Sequence, residues 1–185
     1  FIIYHQITEL YFKLSLLELE QINKNGRKVL ETGEDLGWNK TLTLSLFVEK
    51  LKRLNRYLKV LIDSFDIMIQ GMDKDQFLKF RMALLPSSGF QSVQYRMIEI
   101  RSTDLSKLNT TSSSAKKPKS LYEKIYWKTG ASELKTGTKT YTLKQFEKKY
   151  DARLLKLANK MTDKNLWAQY SSLAKKDRKN NTLIQ

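Results

Sequence analysis

The feature that most constrains this chain is the steady recurrence of apolar residues at helical spacing, with few residues that would interrupt a helix. Between Thr41 and Ile69 the apolar positions lie mostly three or four apart, at Leu44, Phe47, Val48, Leu51, Leu54, Leu58, Leu61, Ile62 and Phe65. This pattern is typical of a long amphipathic helix. The 185 residues include only two prolines and seven glycines. The sequence therefore predicts an all-α protein built as a helical bundle.

Other helices are predicted on both sides of that long helix. The first begins at or before Phe1 and runs to about Asn23, where Asn25-Gly26 favours a C-terminal stop. A short helical piece should follow it, and then a loop over residues 31–37. Asp73 is placed to cap the next helix, which should end at Pro86. The remaining helices are expected at about 90–100, 121–127, 143–160 and 165–175.

Length and composition indicate one domain with one core, since 41% of the residues are hydrophobic. We expect a single all-α domain over 1–185. Within it, 1–101 should carry the candidate site, 102–120 should form a flexible loop rich in Ser, Thr and Lys, 121–175 should add helices, and 176–185 should be a polar tail. The chain has no cysteine and no run of about 20 apolar residues. We therefore expect a cytoplasmic location and no membrane partner.

The charge of the chain is unevenly distributed. Net charge is +15, and residues 101–185 carry 20 Lys and Arg against seven Asp and Glu. Such an excess can indicate an anionic partner. In the sequence, however, these cations stand singly and in pairs, as at Lys148-Lys149, and no known nucleic-acid module accompanies them. A solvated lysine-rich face is the favoured interpretation, and nucleic acid is not an expected partner.

His5 is the only histidine of the chain. Phe1, His5 and Glu9 are four residues apart and so share one face of the first helix, with Phe12 close to that face. The imidazole could be a core histidine bonded to a backbone carbonyl. It could instead line an apolar cavity, as a hydrogen-bond partner or base for a ligand. The segment by itself leaves both interpretations open.

A second candidate stretch is DQFLKFRMALLPSSGFQSVQYR, residues 75–96. In it Phe77, Arg81 and Leu84 have i, i+4, i+7 spacing, which places an arginine between two apolar side chains on one face. A guanidinium in such surroundings suits a planar anion such as a carboxylate. An internal ion pair with an acid such as Glu99 or Glu9 is the alternative. The sharp joint at 86–89, just beyond, favours a ligand site.

These two stretches carry a resemblance. The blocks HQxxELxFK, from His5, and SGFQSxQxR, from Ser88, stand in this order with a long helix between them, and they resemble the tryptophan 2,3-dioxygenase family over roughly residues 1–100. Weaker similarity follows at 120–123 and 165–167. The resemblance implies an all-α, homotetrameric, haem b-dependent fold of the tryptophan/indoleamine 2,3-dioxygenase type. It also implies an oxidoreductase that cleaves the indole C2–C3 bond of L-tryptophan with dioxygen and yields N-formylkynurenine.

Site roles follow from the same resemblance. His5 would be the substrate-facing histidine that bonds the indole N–H, and Arg81 would hold the substrate carboxylate. The remaining positions would be walls of the indole pocket (Phe1, Phe77 and Leu84) and a residue near the haem edge (Ser88). The residue chemistry is compatible with these roles, since it offers an Arg for a carboxylate, aromatics for a ring and a His for the one polar edge of indole.

The resemblance implies a second histidine, late in the chain, as the iron ligand, and here the sequence departs from the family. The nearest match is the segment LWAQYS, which puts Ser171 at that position. Tyr170 and Met161 are conceivable but weak substitutes. We expect that the polypeptide extends before Phe1 and beyond Gln185 and that the ligand lies there. The alternative is a divergent, haem-free member that binds tryptophan or another indole without catalysis.

Overall fold

The computed structural model describes residues 2–76, 78, 92–109, 118–129, 141–173 and 177. It confirms the all-α prediction, with one small hairpin added. In chain order the helices are α1 (Ile2–Asn23), α2 (Leu44–Gly71), α3 (Val93–Ser102), α4 (Pro118–Glu123), α5 (Tyr126–Thr129), α6 (Tyr141–Met161) and α7 (Leu166–Ser172). A short 3-10 helix, Leu105–Leu108, follows α3.

The end of α1 confirms the predicted stop. Asn25 and Gly26 both adopt left-handed backbone conformations, with φ of 65° and 84°. The Gly26 N–H donates to the carbonyl of Gln21 at 2.7 Å, and this bond closes the last turn. The chain thereby turns away from the helix axis within three residues.

An antiparallel hairpin follows that turn, so the expected short helical piece is wrong. The expected loop over 31–37 is confirmed at 31–34, which form the turn of the hairpin, whereas 35–37 belong to its second strand. Its strands are β1 (Arg27–Val29) and β2 (Asp35–Trp38). The Arg27 guanidinium donates to the Asp35 carboxylate across the hairpin, and the Lys24 ammonium lies 4.4 Å from the centre of the Trp38 ring. Side-chain interactions across the turn therefore stabilise two strands too short for sequence periodicity to indicate.

The long helix α2 has the inward face that its periodicity predicted. Thr43 caps its N-terminus, and its side-chain oxygen accepts from the backbone N–H of Leu46. Phe47, Leu54 and Leu61 are buried at seven-residue intervals along one side. That side faces α1, which α2 contacts along much of its length.

One charged group crosses the α1–α2 interface. The carboxylate of Glu18 is buried and lies 3.1 Å from Arg53 and 3.6 Å from Lys50, both on α2. Burying a carboxylate without a cation would be costly, so this pairing fixes how the two helices meet.

The core has two parts that meet at α3. One part lies between α1, α2 and α3 and is formed by Leu19, Leu54 and Ile98. The other lies beneath α6 and contains Ile100, Tyr122, Ile125, Trp127, Phe146, Leu154, Ala158 and Met161. Because Ile98 and Ile100 belong to different parts, α3 joins the N-terminal helices to the later ones.

Several sequence predictions fall partly within the described residues. Asp73 does cap a helical turn, since its carboxylate accepts from the N–H of Gln76 at 2.8 Å. Of the remainder of that predicted helix, to Pro86, only residue 78 is described. Residues 102–120 contain the 3-10 helix and the start of α4, while 110–117 fall outside the description. Of the predicted tail, only residue 177 is described.

The outer face of α1 is apolar. Five residues spaced four, three, four and three apart are 40–71% exposed: Ile3, Ile7, Leu10, Leu14 and Leu17. This spacing is that of a helix-pairing seam. None of the described helices is both long enough and apolar enough to cross a membrane.

Candidate functional site

His5 lies on the second turn of α1, and its side chain is exposed. The interpretation as a core histidine is therefore wrong. Its neighbour Tyr4 anchors this end of α1 to α2, because the Tyr4 hydroxyl is hydrogen-bonded to Ser64 at 3.0 Å and the Tyr4 ring meets Phe65 edge-on at 6.4 Å. This anchor holds the first turns of α1, which carry His5, against α2.

A pocket of about 600 Å³ opens beside His5. Its lining comes from one side of α1 and one residue of α3: His5, Gln6, Glu9, Leu10, Lys13 and Gln94. The volume lies within the ~300–1,000 Å³ range of small-molecule sites. His5 and Glu9 share this face, as their spacing predicted. Phe12 does not line the pocket; its ring packs against Tyr95 at 5.3 Å, nearer the core.

Gln94 lines the pocket from α3, a role that sequence reasoning missed. Its side-chain amide donates to the backbone carbonyl of Glu9 at 2.9 Å and to the Glu9 carboxylate at 2.6 Å. The two motif blocks, 85 residues apart, therefore meet at this point. The signal was present in the sequence, since both residues belong to the quoted motifs, but spacing alone does not pair them.

Arg96, the last residue of the second motif, serves the core and not the pocket. It is 2% exposed, and one of its terminal nitrogens donates to Glu99 at 2.7 Å and to the Tyr126 hydroxyl at 2.6 Å. Its guanidinium also lies 4.8 Å from the centre of the Trp127 ring. Burial raises the pKa of Glu99, although the bonds from Tyr126 and Arg96 oppose that rise.

The other predicted site residues are Phe1, Phe77, Arg81, Leu84 and Ser88, and all five lie in parts of the chain that the structure does not describe. Both acids considered as internal partners for Arg81 have other partners. Glu99 accepts from Arg96 and Tyr126, and Glu9 accepts from Gln94. Of the six predicted site residues, the structure therefore describes only His5.

The residues considered as iron ligands do not fit a haem. Ser171 is exposed on α7, and Tyr170 beside it is half-buried with its ring 5.6 Å from Trp167. Met161 is buried and lines a cavity of about 160 Å³, too small for a cofactor of that size. Across the described ranges, no group of three or more His, Cys, Asp or Glu side chains could hold a metal ion. We therefore assign no residue as an axial ligand.

The fold and the site together define a class: an all-helical protein with one histidine beside an open, ligand-sized pocket where two motifs meet. The sequence profile of the tryptophan 2,3-dioxygenase family matches residues 1–182. The chain belongs to this family, as the resemblance implied.

Individual relatives match over a shorter range. The tryptophan 2,3-dioxygenase of Dictyostelium discoideum is 39% identical over 99 residues, which cover 54% of this chain and 22% of that protein. The tryptophan 2,3-dioxygenase of Ruegeria sp. (strain TM1040) is 39% identical over 99 residues, covering 54% of this chain and 30% of that protein. The chain thus spans less than a third of either relative. No solved structure matches it.

Proposed function

We propose that this chain is a dioxygenase-type protein whose substrate is L-tryptophan, whose co-substrate is dioxygen and whose product is N-formylkynurenine. Family membership supports a function of the dioxygenase type. The observation that carries the proposal is the position of His5, which stands beside a ligand-sized pocket at the point where Glu9 and Gln94 join the two motifs.

In this proposal each residue has a role that its chemistry suits. One ring nitrogen of His5 accepts a hydrogen bond from the indole N–H. Arg81 receives the substrate carboxylate through two parallel hydrogen bonds. The walls of the indole pocket and the position near the cofactor are assigned to the residues that the family pattern matches: Phe1, Phe77, Leu84 and Ser88. Glu9 and Glu99 already accept hydrogen bonds from other side chains. This supports the substrate carboxylate, and not one of these two acids, as the proposed partner of Arg81.

Haem b is the proposed cofactor on the strength of the family alone. Because no described residue fits as its axial ligand, no step of the reaction is assigned to it here. That same observation favours a second candidate function, in which a haem-free protein binds tryptophan or another indole without turning it over. The tetramer and the cytoplasmic location stay predictions.

The test uses the intact chain, supplied with haem and a reductant, and follows the Soret absorption and the formation of N-formylkynurenine from L-tryptophan in air. Calorimetric titration of L-tryptophan into the same chain measures binding separately. The proposal predicts a Soret band that shifts when tryptophan is added, and product that is lost in Arg81→Ala. Tryptophan binding with no Soret band and no product would establish the second candidate. Absence of binding, band and product would contradict both.

A further inference from the structure

The outward face of α6 carries six basic side chains, which we call the basic face: Lys144, Lys148, Lys149, Arg153, Lys156 and Lys160. All six are exposed. The opposite side of the same helix is buried in the core through Leu143, Phe146, Leu154, Ala158 and Met161. Along the sequence these cations stand singly and in pairs, and this spacing favoured a solvated lysine-rich face without a partner. In the folded chain the helix brings all six to one side.

The geometry of the basic face is regular. At 100° per residue its members fall within about half of the helix circumference, and Lys144 and Lys160 are about 24 Å apart along the axis at 1.5 Å per residue. The neutral residues between them are mostly small or polar, at Gln145, Ala152 and Asn159. Leu155 also falls within this half of the helix but is partly buried against the core, and Tyr141 is exposed at the first residue of α6. The exposed side of α6 between Lys144 and Lys160 is therefore predominantly cationic.

Acidic residues of α6 do not neutralise this strip. Glu147 and Asp151 point to the other side, where they lie 3.3 Å and 2.8 Å from the Lys128 ammonium. Among the residues that the structure describes, no ion pair within 4.0 Å involves any member of the basic face. Lys160, at one end of the face, does attract an acid of another helix: it adds, after Lys24, to the lowering of the pKa of Glu20 on α1. The nearest acid along the chain beyond the helix is Asp163, in the turn that follows.

We propose that the basic face of α6 binds the phosphate backbone of double-stranded DNA, independently of sequence. An α-helix with its side chains is about 10–12 Å wide, and the B-form major groove is about 12 Å wide, so cations on both flanks of α6 can reach phosphates on both walls. The deep, narrow major groove of A-form RNA does not admit a helix in this way.

Two other anionic partners fit less well. A helix that enters a bilayer surface needs a free apolar face, but the apolar face of α6 is occupied by the core. Single-stranded nucleic acid is held through stacking on aromatic side chains, and the exposed side of α6 offers one aromatic, Tyr141, at its first residue. The duplex is therefore the partner that the face suits best.

The test measures anisotropy of a fluorescein-labelled 20-base-pair DNA duplex of arbitrary sequence, titrated with the intact chain at salt concentrations from 50 to 200 mM. Non-specific affinities of this kind have a Kd of about 10⁻⁴–10⁻⁶ M. With four to six phosphate contacts, the logarithm of affinity should fall with the logarithm of salt concentration with a slope of roughly −4 to −5.

A matched pair of triple variants locates the contact. Lys148→Gln, Arg153→Gln and Lys156→Gln together should reduce the magnitude of the slope by about 3 and weaken binding at 100 mM salt at least tenfold. The control triple on the exposed side of α2, Lys52→Gln, Arg56→Gln and Lys59→Gln, removes the same charge and should leave the slope unchanged. Circular dichroism and thermal unfolding confirm that both triples fold.

Several results would overturn the proposal. If both triple variants lost the same affinity for the duplex, binding would depend on the net charge of the protein and not on the basic face. An affinity that ignores salt, or no anisotropy change at 50 mM salt and about 10⁻⁴ M protein, would exclude a phosphate contact. Binding to phosphatidylserine vesicles without binding to the duplex would assign the face to a lipid surface instead.

Discussion

At the scale of single residues, Lys128 shows how much of this protein depends on one buried charge. Its side chain is 4% exposed and its ammonium lies within 3.3 Å of Glu123, Glu147 and Asp151. Burial alone would lower the pKa of Lys128, but hydrogen bonds and attraction from Asp151 and Glu123 outweigh that effect and raise it above its usual value. The charged form is therefore favoured in the folded state.

We expect Lys128→Met to lower the free energy of unfolding by about 2 kcal/mol, because it leaves three carboxylates without their cation. The loss is smaller than for a fully buried pair, since Glu123 keeps contact with solvent. Urea denaturation at pH 7 measures it, with the exposed Lys119→Met as the control. Equal stability of both variants would contradict the assignment.

The same variant has a predictable pH dependence. A raised pKa means that the stabilisation by Lys128 is fully present below the ordinary lysine pKa, about 10.5, and is lost as pH rises through the higher folded value. Burial also raises the pKa of the Tyr122 hydroxyl, with Asp151 adding to the shift, so ionisation of that group opposes folding in the same alkaline range. The stability difference between wild type and Lys128→Met should therefore narrow above about pH 10.5. A difference that persists unchanged there would be the contrary result.

At the scale of elements, the turn after α1 depends on a glycine. Gly26 has a φ of 84°, and a Cβ added there would lie 2.3 Å from the Cδ2 of Leu46. Gly33, in the hairpin, has nearly the same φ of 86° but open space around it. The two positions therefore separate the cost of the backbone conformation from the cost of the contact.

We expect Gly33→Ala to lower the free energy of unfolding by about 1 kcal/mol, because alanine is strained at positive φ. Gly26→Ala should cost about 2–3 kcal/mol, since Leu46 must also move. Thermal or urea unfolding of the two variants measures the difference. If both variants lost the same free energy of unfolding, the close approach to Leu46 would add no cost at position 26.

Helices with strong apolar periodicity could be predicted from the sequence, and the ends of α1 and α2 were close to their observed positions. The hairpin at 27–38 could not, because strands of three and four residues show no alternation and their stabilising contacts, such as Arg27 with Asp35, cross a turn. The pairing of Gln94 with Glu9 was equally hidden, since it depends on how α3 meets α1.

At the scale of the whole molecule, the sequence predicted the family, and the site residues stay a prediction. It named His5 and Glu9 as neighbours because a helix repeats about every four residues. The sequence analysis listed Arg96 only as a residue of the second motif and predicted no role for it. The three-dimensional structure shows that this arginine is buried against aromatic rings of a segment distant in the chain. Contacts between segments far apart in the chain are set by packing, which periodicity does not encode.

The apolar outer face of α1 is typical of a protein interface, and the homotetramer stays a prediction. We expect the double variant Leu14→Glu, Leu17→Glu to shift the protein to a smaller assembly in light scattering after size-exclusion chromatography. Val29→Glu, a change at an exposed apolar residue of the hairpin, is the control. A wild-type protein that is monomeric at all concentrations would contradict the predicted tetramer.

The most direct test of the central claim, that the pocket beside His5 takes an indole amino acid, is calorimetric titration of L-tryptophan into the intact chain. We predict saturable one-site binding, weakened several-fold in His5→Ala by loss of one neutral hydrogen bond of about 1 kcal/mol. Arg81→Ala should weaken it roughly 10- to 100-fold, because a charge-assisted pair is lost. No heat of binding, or the same affinity in the wild type and both variants, would contradict the claim.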